Sequence, residues 1–556
     1  MTLQFQSGHS RHEMIKKLAV FVALFGTILL LTTKHIDDED YIIHNGDMSR
    51  YLMNGVFLKD ALRDLPFKNS IEYAQNYFIQ YPALSLGFHP PFLALAEIPF
   101  FTVMGVSVSS ARWMMVSFMI IGSFAWYFLM RRAFNNSATF SILSGLLFAT
   151  TPLFVEYSQI VMPDFPALCL SVLSSLFYFA YLGTNKTRYL LLTIVSVLAA
   201  VTTKQLAVFL VPCLLFHFVI YRKEIWQKWK IRNILLWVIP SALIMSALCI
   251  LTVRYSGMNV DWVVDGLFKP KFLKADKLLY PFNLLFTNFL LLPVSVFAVI
   301  GAAIAVFKIK NTYNLFFVLW VLFFYVQMTL LPSYIVRHYV YLIPPFYFFC
   351  FLTLERIKQT FILNACLALF VIAIVYQTHT SYYQKVEYNR GYEAAAKYII
   401  EQSPTGSVLY CSEMDTGFFV FFIRKHCSEE KFFIIRGDKI LSLGSFNHYV
   451  KELVQNKEDY YEAISSYNIE YIVVEKMYNA EFKASAFKLQ EKELNAERGL
   501  FSLERSIPIL SNRMSLKDAA LNIYKYKKFD PDNFSDAPFE VELPIINHKI
   551  KSTVLP

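Results

Sequence analysis

The sequence is 556 residues long, and 56% of its residues are hydrophobic while only 17% are charged. Its mean hydropathy is +0.42, and it contains 53 Phe. A soluble domain rarely carries so much apolar material, because its surface must be solvated. The composition therefore excludes an ordinary soluble globular protein and indicates an integral membrane protein.

The formal net charge of +10 does not indicate nucleic-acid binding. Its basic residues lie mostly in short loops between apolar runs, where they act as orientation signals. The sequence has neither zinc-ligand spacing nor a basic module interleaved with aromatic residues, so no nucleic-acid partner is expected.

Apolar runs bounded by charges or turn formers recur along the chain and predict a polytopic helical membrane domain over residues 18–378. The first run is interpreted as a retained span, because the acidic "HIDDEDY" follows it instead of a small-residue cleavage site. We predict about eleven transmembrane helices, near residues 18–33, 112–130, 138–154, 165–182, 189–203, 205–221, 234–252, 287–307, 314–331, 339–354 and 361–377.

We expect the chain to lie in a cell membrane (the plasma or inner membrane). If successive loops between the predicted spans lie on alternate sides of it, all the short basic segments fall on one side, which is therefore predicted to be the cytoplasm. Residues 1–17 are then cytoplasmic, and the first loop (34–111) is extracytoplasmic. This alternation requires that the segment "PPFLALAEIPFFTVMG" (90–105) does not cross the membrane. Its double proline and Glu97 favour a helix at the membrane surface. The basic segments are "RHEMIKK", "RRAFNN", "GTNKTR", "YRKEIWQKWKIRN", "KIKNTY" and "ERIKQ".

The composition changes after about residue 378. "GYEAAAKYIIEQ" has helical spacing, whereas "GSVLYCS", "FFIIRG" and "IEYIVVE" are typical of strands. This alternation predicts a small extracytoplasmic α/β domain over 379–556. Its two cysteines, Cys411 and Cys427, are compatible with a disulfide and equally with two unpaired thiols.

Several polar residues fall on the predicted extracytoplasmic side, next to apolar spans. Charges at a bilayer edge are costly unless they face water, a partner or a ligand, so they are candidates for function. Acids and bases ringed on one face of an apolar helical body suit a substrate with a lipid tail and a charged headgroup. The candidates are Asp47, Arg50, Tyr51, His89, Asp164, Lys204, Arg337 and Tyr339.

These residues lie in motifs that resemble a known family. "GDMSRY", "GFHPPF", "MPDFPA", "TTKQ" and "RHYVYLIPP" follow the order and spacing of polytopic GT-C fold glycosyltransferases that use lipid-phosphate sugars. These are the protein-O-mannosyltransferase-like and aminoarabinose-transferase-like enzymes of the glycosyltransferase family 39 type. The resemblance covers roughly residues 15–350, and it depends on the motifs as an ordered set.

The resemblance implies a role for each matching residue. Asp47 matches the acid of the first external loop, which acts as general base or orients the acceptor. Asp164 matches the acid of the second loop, which helps to position substrates. Arg337 matches the residue that grips the donor phosphate, Lys204 matches a lysine near the lipid-phosphate path, and His89 matches the motif that shapes the surface helix.

One position departs from the family pattern, which often reads Asp-Glu where this chain has Asp47 and Met48. Either Asp47 works alone, or Glu39 or Asp40 supplies the second carboxylate. The expected chemistry is attack of an acceptor hydroxyl on the anomeric carbon, with the proton taken by a carboxylate and the lipid phosphate leaving. Direct displacement inverts the anomeric centre.

The sequence leaves several alternatives open. Asp47 and Asp164 are also compatible with helix capping, and Arg337 with an interfacial anchor. A non-catalytic scaffold of envelope-glycan assembly would keep the same fold, and a transporter is the less favoured reading because no halves repeat. The acceptor is a glycan, a lipid or a protein. No cofactor is assigned, and a divalent cation is left open without a ligand cluster to support it.

Overall fold

The protein is described by a computed structural model over residues 7–39, 46–86, 89–221, 275–330, 335–403, 406–411, 416–427, 432–444, 450–476, 485–496, 499–512, 518–530, 539–543 and 548–552. The chain divides into two compact units. The helical unit consists of Met1–Ile36, Arg112–Arg254 and Met258–Lys385. The mixed unit consists of Asp37–Ala111, Tyr255–Gly257 and Val386–Pro556.

The described part of the helical unit consists mainly of apolar helices. Among the described residues, two 3₁₀ segments, Gln205–Phe209 and Val336–Leu342, and one π-helical turn, Leu285–Phe289, interrupt them. The α-helices are α1 (Ser7–Thr32), α5 (Val108–Ala133), α6 (Ala138–Thr150), α7 (Pro152–Gln159), α8 (Asp164–Thr184), α9 (Thr187–Thr203), α10 (Leu210–Ile220), α11 (Ala275–Leu284), α12 (Leu292–Phe307), α13 (Thr312–Leu330), α14 (Ile343–Glu355) and α15 (Thr360–Tyr383).

Four of the described helices, α5, α8, α13 and α15, are long and apolar enough to cross a membrane. The pair α6 and α7, bent by 51°, makes a fifth if it forms one span. The predicted span at 234–252 lies outside the described residues, and each of the other ten predicted spans overlaps a helical segment. The total of about eleven crossings stays a prediction.

Small residues allow the helices of this unit to pack closely. A Cβ atom at Gly122 of α5 would overlap the Cys169 side chain of α8, and one at Gly301 of α12 would overlap the carbonyl oxygen of Phe349 in α14. Membrane helices associate through close packing, since lipid supplies no hydrophobic driving force between them. Substitution of either glycine would therefore force these helix pairs apart.

Two buried tryptophans tie helices together through their polar edges. Trp126 of α5 donates from Nε1 to Ser144 Oγ of α6 at 2.7 Å. Trp320 of α13 donates from Nε1 to the carbonyl oxygen of Tyr341 at 2.8 Å, which fixes the Val336–Leu342 segment against α13. A buried indole N–H needs such a partner, so both contacts set the register of the elements that they join.

The mixed unit contains a five-stranded sheet in the order β3-β2-β6-β9-β7. β2 pairs in parallel with β3 and β6, and β9 is antiparallel to β6 and β7. The strands are β1 (Asn389–Arg390), β2 (Ser407–Cys411), β3 (Phe433–Arg436), β4 (Ser442–Gly444), β5 (Val450–Glu452), β6 (Ile469–Lys476), β7 (Phe501–Pro508), β8 (Leu510–Ser511), β9 (Ala520–Tyr526), β10 (Phe539–Leu543) and β11 (His548–Ser552).

The helices of the mixed unit come from the first loop (34–111) and from the C-terminal domain (379–556). Parallel strands need crossover connections, and α17 supplies the one between β2 and β3. The predicted alternation is confirmed, since "GYEAAAKYIIEQ" forms a helix and the three strand-like runs form β2, β3 and β6. The helices are α2 (Gly46–Asp64), α3 (Ser70–Gln80), α4 (Phe92–Met104), α16 (Tyr392–Gln402), α17 (Thr416–His426), α18 (Gly437–Ile440), α19 (Lys457–Ser466) and α20 (Ser485–Leu494).

A buried ion pair joins the first loop to the α/β domain within this unit. Arg424 of α17 donates from Nη2 to Asp60 Oδ2 of α2 at 2.6 Å, and their side chains are 8% and 2% exposed. A Cβ atom at Gly417 would overlap the Ser49 side chain, so α17 packs closely on α2. The first loop and the C-terminal domain therefore form one packed body.

Two details of this unit bear on the sequence analysis. Cys411 and Cys427 are not bridged. Helix α4 matches the segment predicted to lie at the membrane surface, and its position relative to the membrane stays a prediction. Glu97 of α4 is completely buried, and its carboxyl group lies against Gly55 of α2. It is therefore part of a helix contact, whereas the sequence analysis used it as an indication of a helix at the membrane surface.

Candidate functional site

Asp164 lies at the centre of a charged cluster in the helical unit. Lys204 Nζ lies 3.6 Å from Asp164 Oδ1, and Arg337 Nε lies 3.8 Å from Asp164 Oδ2. His338 Nε2 lies 3.8 Å from Asp164 Oδ1. These four residues, the Asp164 cluster, bring together three positions that the sequence analysis had selected.

Breaks between helices position the side chains of the Asp164 cluster. Asp164 is the first residue of α8, directly after Pro163. Lys204 has extended backbone (φ −147°, ψ 124°) between α9 and the 3₁₀ turn that follows it. Arg337 and His338 lie on the 3₁₀ segment before α14, whose first turn contains proline. Each charge thus lies at an element end, where the chain changes direction.

Burial separates the acid of the Asp164 cluster from its bases. The Asp164 side chain is 2% exposed, whereas Lys204, Arg337 and His338 are 15–16% exposed. Neither carboxylate oxygen of Asp164 has a hydrogen-bond partner among the described residues. The separations exceed the roughly 2.7–3.2 Å of direct hydrogen bonds, so Asp164 attracts the three bases without occupying their N–H groups.

The Asp164 cluster has an excess of positive charge. Lys204 and Arg337 carry two positive charges against the single negative charge of Asp164, so the net charge is +1 with neutral His338 and +2 with protonated His338. A buried carboxylate is tolerated only when cations compensate it. The remaining charge, on side chains with some exposure, is suited to attract an anion.

Tyr339 is placed beside this cluster as a packing residue. Its side chain is 3% exposed, and its ring makes edge contacts with Tyr280 at 5.3 Å and with Phe324 at 6.3 Å. His338 is the member of the Asp164 cluster that the sequence analysis missed. Its position next to Arg337 in "VRHYVY" was the only signal, and a histidine beside an arginine has no specific meaning by itself.

The other predicted site residues lie in the mixed unit, on the first turns of α2. Asp47 is the second residue of this helix, and Arg50 and Tyr51 follow one turn later. The hydroxyl of Tyr51 hydrogen-bonds to His89 Nδ1 at 3.1 Å, and their rings lie 4.7 Å apart. The structure therefore brings Tyr51 and His89, two of the predicted site residues, together.

Asn54, one turn after Arg50, holds the segment that leads to His89. Its Nδ2 donates to Ser85 Oγ at 3.1 Å, and its Oδ1 accepts from the backbone N–H of Ser85 at 2.9 Å. The backbone N–H of His89 in turn donates to the carbonyl oxygen of Ser85 at 2.8 Å. The Asn54 side chain thus attaches Ser85 to α2, and the hydrogen bond between Ser85 and His89 continues this contact to the His-Pro-Pro motif.

Arg50 has electrostatic neighbours from the α/β domain. Burial and the nearby Arg436 guanidinium lower the pKa of Arg50, whereas the carboxylates of Asp47 and Asp438 oppose that shift. Arg436 makes two hydrogen bonds to Asp438, at 2.8 and 2.7 Å, and Lys439 Nζ lies 3.5 Å from the same carboxylate. Sequence reasoning missed these three residues, although "RGDK" overlaps the end of the predicted strand-like run "FFIIRG".

The sequence analysis named Glu39 and Asp40 as candidates for a second carboxylate beside Asp47. Glu39 accepts the backbone N–H groups of Val108 and Ser109, at 3.1 and 3.0 Å, and Lys425 Nζ lies 2.9 Å from it. It therefore caps the start of α5. Asp40 lies outside the described residues. Met48 is completely buried, so it is a core residue of α2.

Comparison with known proteins identifies similar folds. Residues 88–252 match a family model described as dolichyl-phosphate-mannose-protein mannosyltransferase. No curated protein sequence matches the chain significantly. Apo ArnT from Cupriavidus metallidurans is similar in structure at 12% identity, over 94% of this chain and 100% of that chain, with a TM-score of 0.59.

Two further solved structures are similar. ArnT from Cupriavidus metallidurans bound to undecaprenyl phosphate matches at 13% identity, over 90% of this chain and 98% of that one, with a TM-score of 0.54. The Archaeoglobus fulgidus oligosaccharyltransferase in complex with Zn and sulfate matches at 13% identity, over 82% of this chain and 68% of that one, with a TM-score of 0.52. At these identities the likeness is one of fold.

Proposed function

We propose that this chain, which has the GT-C fold that its motifs predicted, is an integral-membrane glycosyltransferase. It moves a sugar from a polyprenyl-phosphate donor to an acceptor on the extracytoplasmic face, with inversion of the anomeric centre. The observation that carries the proposal is the Asp164 cluster, in which three basic side chains surround one buried carboxylate.

The Asp164 cluster binds the donor phosphate in this proposal. The phosphate gains negative charge as the glycosidic bond breaks, and cations that are already in place stabilise that charge without reorganising. The planar guanidinium of Arg337 can donate two hydrogen bonds to the phosphate, and the ammonium of Lys204 acts as a point charge. Support for a polyprenyl phosphate comes from the structural likeness to ArnT, which was solved with undecaprenyl phosphate bound.

Asp164 acts in this proposal as the residue that positions the bases. It is more deeply buried than any of them, and two cationic side chains and one imidazole face it. Its carboxylate therefore holds Lys204, Arg337 and His338 in one place before the donor arrives. Such preorganisation lowers the barrier because the basic side chains are already positioned and need not move during the reaction.

Asp47 is the proposed general base of the transfer. A carboxylate within hydrogen-bond reach can take the proton of the attacking hydroxyl, and Asp47 is an electrostatic neighbour of Arg50 on the same helix. The oxygen of the acceptor bonds to the anomeric carbon, the bond to the phosphate oxygen breaks, and the leaving phosphate needs no proton. Tyr51 and His89 orient the segment around Asp47.

The test is transfer of a labelled sugar by the purified chain in nanodiscs. A polyprenyl-phosphate-linked sugar is supplied together with fractionated envelope glycans, lipids and proteins as acceptors. Release of polyprenyl phosphate that depends on one acceptor fraction supports the proposal. Donor binding without release under all conditions would favour a non-catalytic scaffold, and absence of donor binding would reject the assignment of the Asp164 cluster.

A further inference from the structure

A groove lies in the helical unit, away from the Asp164 cluster. It has a volume of about 1390 Å³ and is lined by residues of α1, α5, α8 and α13, by Tyr221 and by the turn after α5. This exceeds the roughly 300–1,000 Å³ of pockets for small molecules. The groove therefore has room for a larger ligand.

The groove and the Asp164 cluster lie at opposite ends of the same helix. α8 begins at Asp164, and Gly183, near its other end, lines the groove. At 1.5 Å per residue, these two positions are about 28 Å apart, close to the roughly 30 Å thickness of a bilayer core. The groove is therefore not part of the donor-phosphate site, and it lies on the side where the basic loops predict the cytoplasm.

Both the apolar and the polar walls of the groove indicate the chemistry of its ligand. Leu18, Phe21 and Phe128 are 61%, 47% and 46% exposed, so they present hydrocarbon to whatever fills the groove. Arg131 and Arg132 line it at the end of α5. Among the residues that the structure describes, neither arginine forms an ion pair, and Arg131 donates at 3.4 Å to Tyr127.

We propose that this groove binds an anionic membrane lipid. The phosphate of the headgroup contacts Arg131 and Arg132, since guanidinium groups bind phosphate bidentately, and the hydrocarbon chain lies along Leu18, Phe21 and Phe128. Basic pockets between membrane helices recognise lipid headgroups in this way. Two adjacent arginines at the mouth of an apolar groove complement a ligand that is negative at one end and apolar at the other.

Native mass spectrometry of the delipidated full chain tests the proposal, with dioleoyl phosphatidylglycerol as probe and dioleoyl phosphatidylcholine as the zwitterionic comparison. We expect one phosphatidylglycerol to be retained preferentially, and the double variant Arg131→Gln/Arg132→Gln to bind it about tenfold more weakly. The matched control is Lys308→Gln/Lys310→Gln, which removes two exposed charges at the same end of the unit without changing the groove. Equal losses in both double variants would mean non-specific attraction and reject the site.

A second variant tests the groove without changing its charge. Gly183 lines the groove, and a Cβ atom there meets nothing within 4 Å, so Gly183→Trp adds a large neutral side chain at the groove wall. It should also abolish the preferential retention, whereas Gly26→Trp, at another glycine with open space around it, should not. Retention by Gly183→Trp would overturn the proposal. So would displacement of the lipid by inorganic phosphate alone, because the site would then recognise only the anion.

Discussion

At the residue scale, the arrangement around Asp164 decides how the bases can act. The bases approach the buried carboxylate from two different segments, Lys204 from the end of α9 and Arg337 with His338 from the 3₁₀ segment Val336–Leu342, so no single helix determines the geometry. A residue that contacts the phosphate should affect the chemical step, and a residue of the same type elsewhere in the unit should not.

Arg337→Ala should lower transfer by roughly a hundredfold, which corresponds to about 2.7 kcal/mol of transition-state stabilisation. The loss follows from removal of a charge-assisted contact to the leaving phosphate. Lysine at this position should restore only part of the rate, because it lacks the planar fork. Labelled-sugar transfer in nanodiscs measures both effects. Arg356→Ala, at an exposed arginine in the same unit, is the control, and full activity of Arg337→Ala at normal expression would remove Arg337 from the site.

Asp47→Asn should lower turnover by about 10²–10⁴-fold while donor binding survives. Asparagine keeps the shape of the side chain but cannot accept the proton. The measurement combines transfer rates with a separate assay of donor binding. Asp64→Asn, at the far end of the same helix, is the matched control. If Asp47→Asn transfers sugar at a near-normal rate, the "GDMSRY" acid is only a residue of the first helical turn.

At the element scale, the mixed unit depends on the contact between α2 and α17. The Asp60 carboxylate in this contact is hydrogen-bonded by Arg424 and also by the hydroxyl of Tyr77, at 2.9 Å. Removing one partner of a buried ion pair leaves an uncompensated charge. The packing of α17 on α2 therefore depends on the Asp60 carboxylate, which is buried and has no access to water when Arg424 is removed.

Arg424→Ala should destabilise the mixed unit by about 3–5 kcal/mol, the usual cost of breaking a buried pair from one side. Arg63→Ala should cost less than about 1 kcal/mol, although Arg63 Nη1 also lies 3.8 Å from Asp60, because its side chain is 57% exposed. Pulse proteolysis in increasing urea, with the fragments of the mixed unit quantified, measures both. Equal stability of the two variants would show that the pair does not hold α17 on α2.

The contact between α16 and α17 should make stability depend on pH. The hydrogen bond from His426, at 2.7 Å, and the nearby Lys425 lower the pKa of Glu393 to about 2. Unfolded glutamate titrates near 4.3, so ionised Glu393 stabilises the fold above about pH 4.3. This contribution is lost as the pH falls towards 2.

Glu393→Gln should therefore show a smaller loss of stability between pH 5 and pH 2.5 (roughly the interval between the two pKa values) than the unaltered chain. Pulse proteolysis with pepsin, which is active in acid, reports the urea midpoint at each pH. Glu462→Gln, at an exposed glutamate of α19, should follow the unaltered chain. Parallel pH profiles for all three proteins would assign the acid sensitivity to other groups.

At the scale of the whole molecule, the orientation in the membrane is the prediction on which the extracytoplasmic site depends. With every short basic loop in the cytoplasm, Lys186 between α8 and α9 is internal and Lys457 of α19 is external. Both side chains are exposed. An impermeant maleimide should label Lys457→Cys but not Lys186→Cys in intact cells, with the parent chain as background. The opposite pattern would invert the topology.

The sequence by itself determined the class of the protein and the positions of its elements. Hydropathy depends on composition over a local window, so the apolar runs at 112–130 and 165–182 predicted α5 and α8. Alternation of helical and strand-like runs predicted the sheet around β2, β3 and β6. The ordered motifs predicted the GT-C fold and selected Asp164, Lys204 and Arg337, because charges beside apolar spans are unusual enough to be noticed.

Only the tertiary structure decided which of these residues meet and which others join them. His338, Arg436 and Lys439 have no distinctive local pattern, and the proximity of His338 to Asp164 and of Arg436 and Lys439 to Arg50 results from contacts far apart in the chain. The same holds for the pairing of Asp60 with Arg424, which makes the first loop and the α/β domain one packed body. Burial and ion pairing depend on these long-range contacts, whereas hydropathy and turn chemistry are local properties that the sequence displays directly.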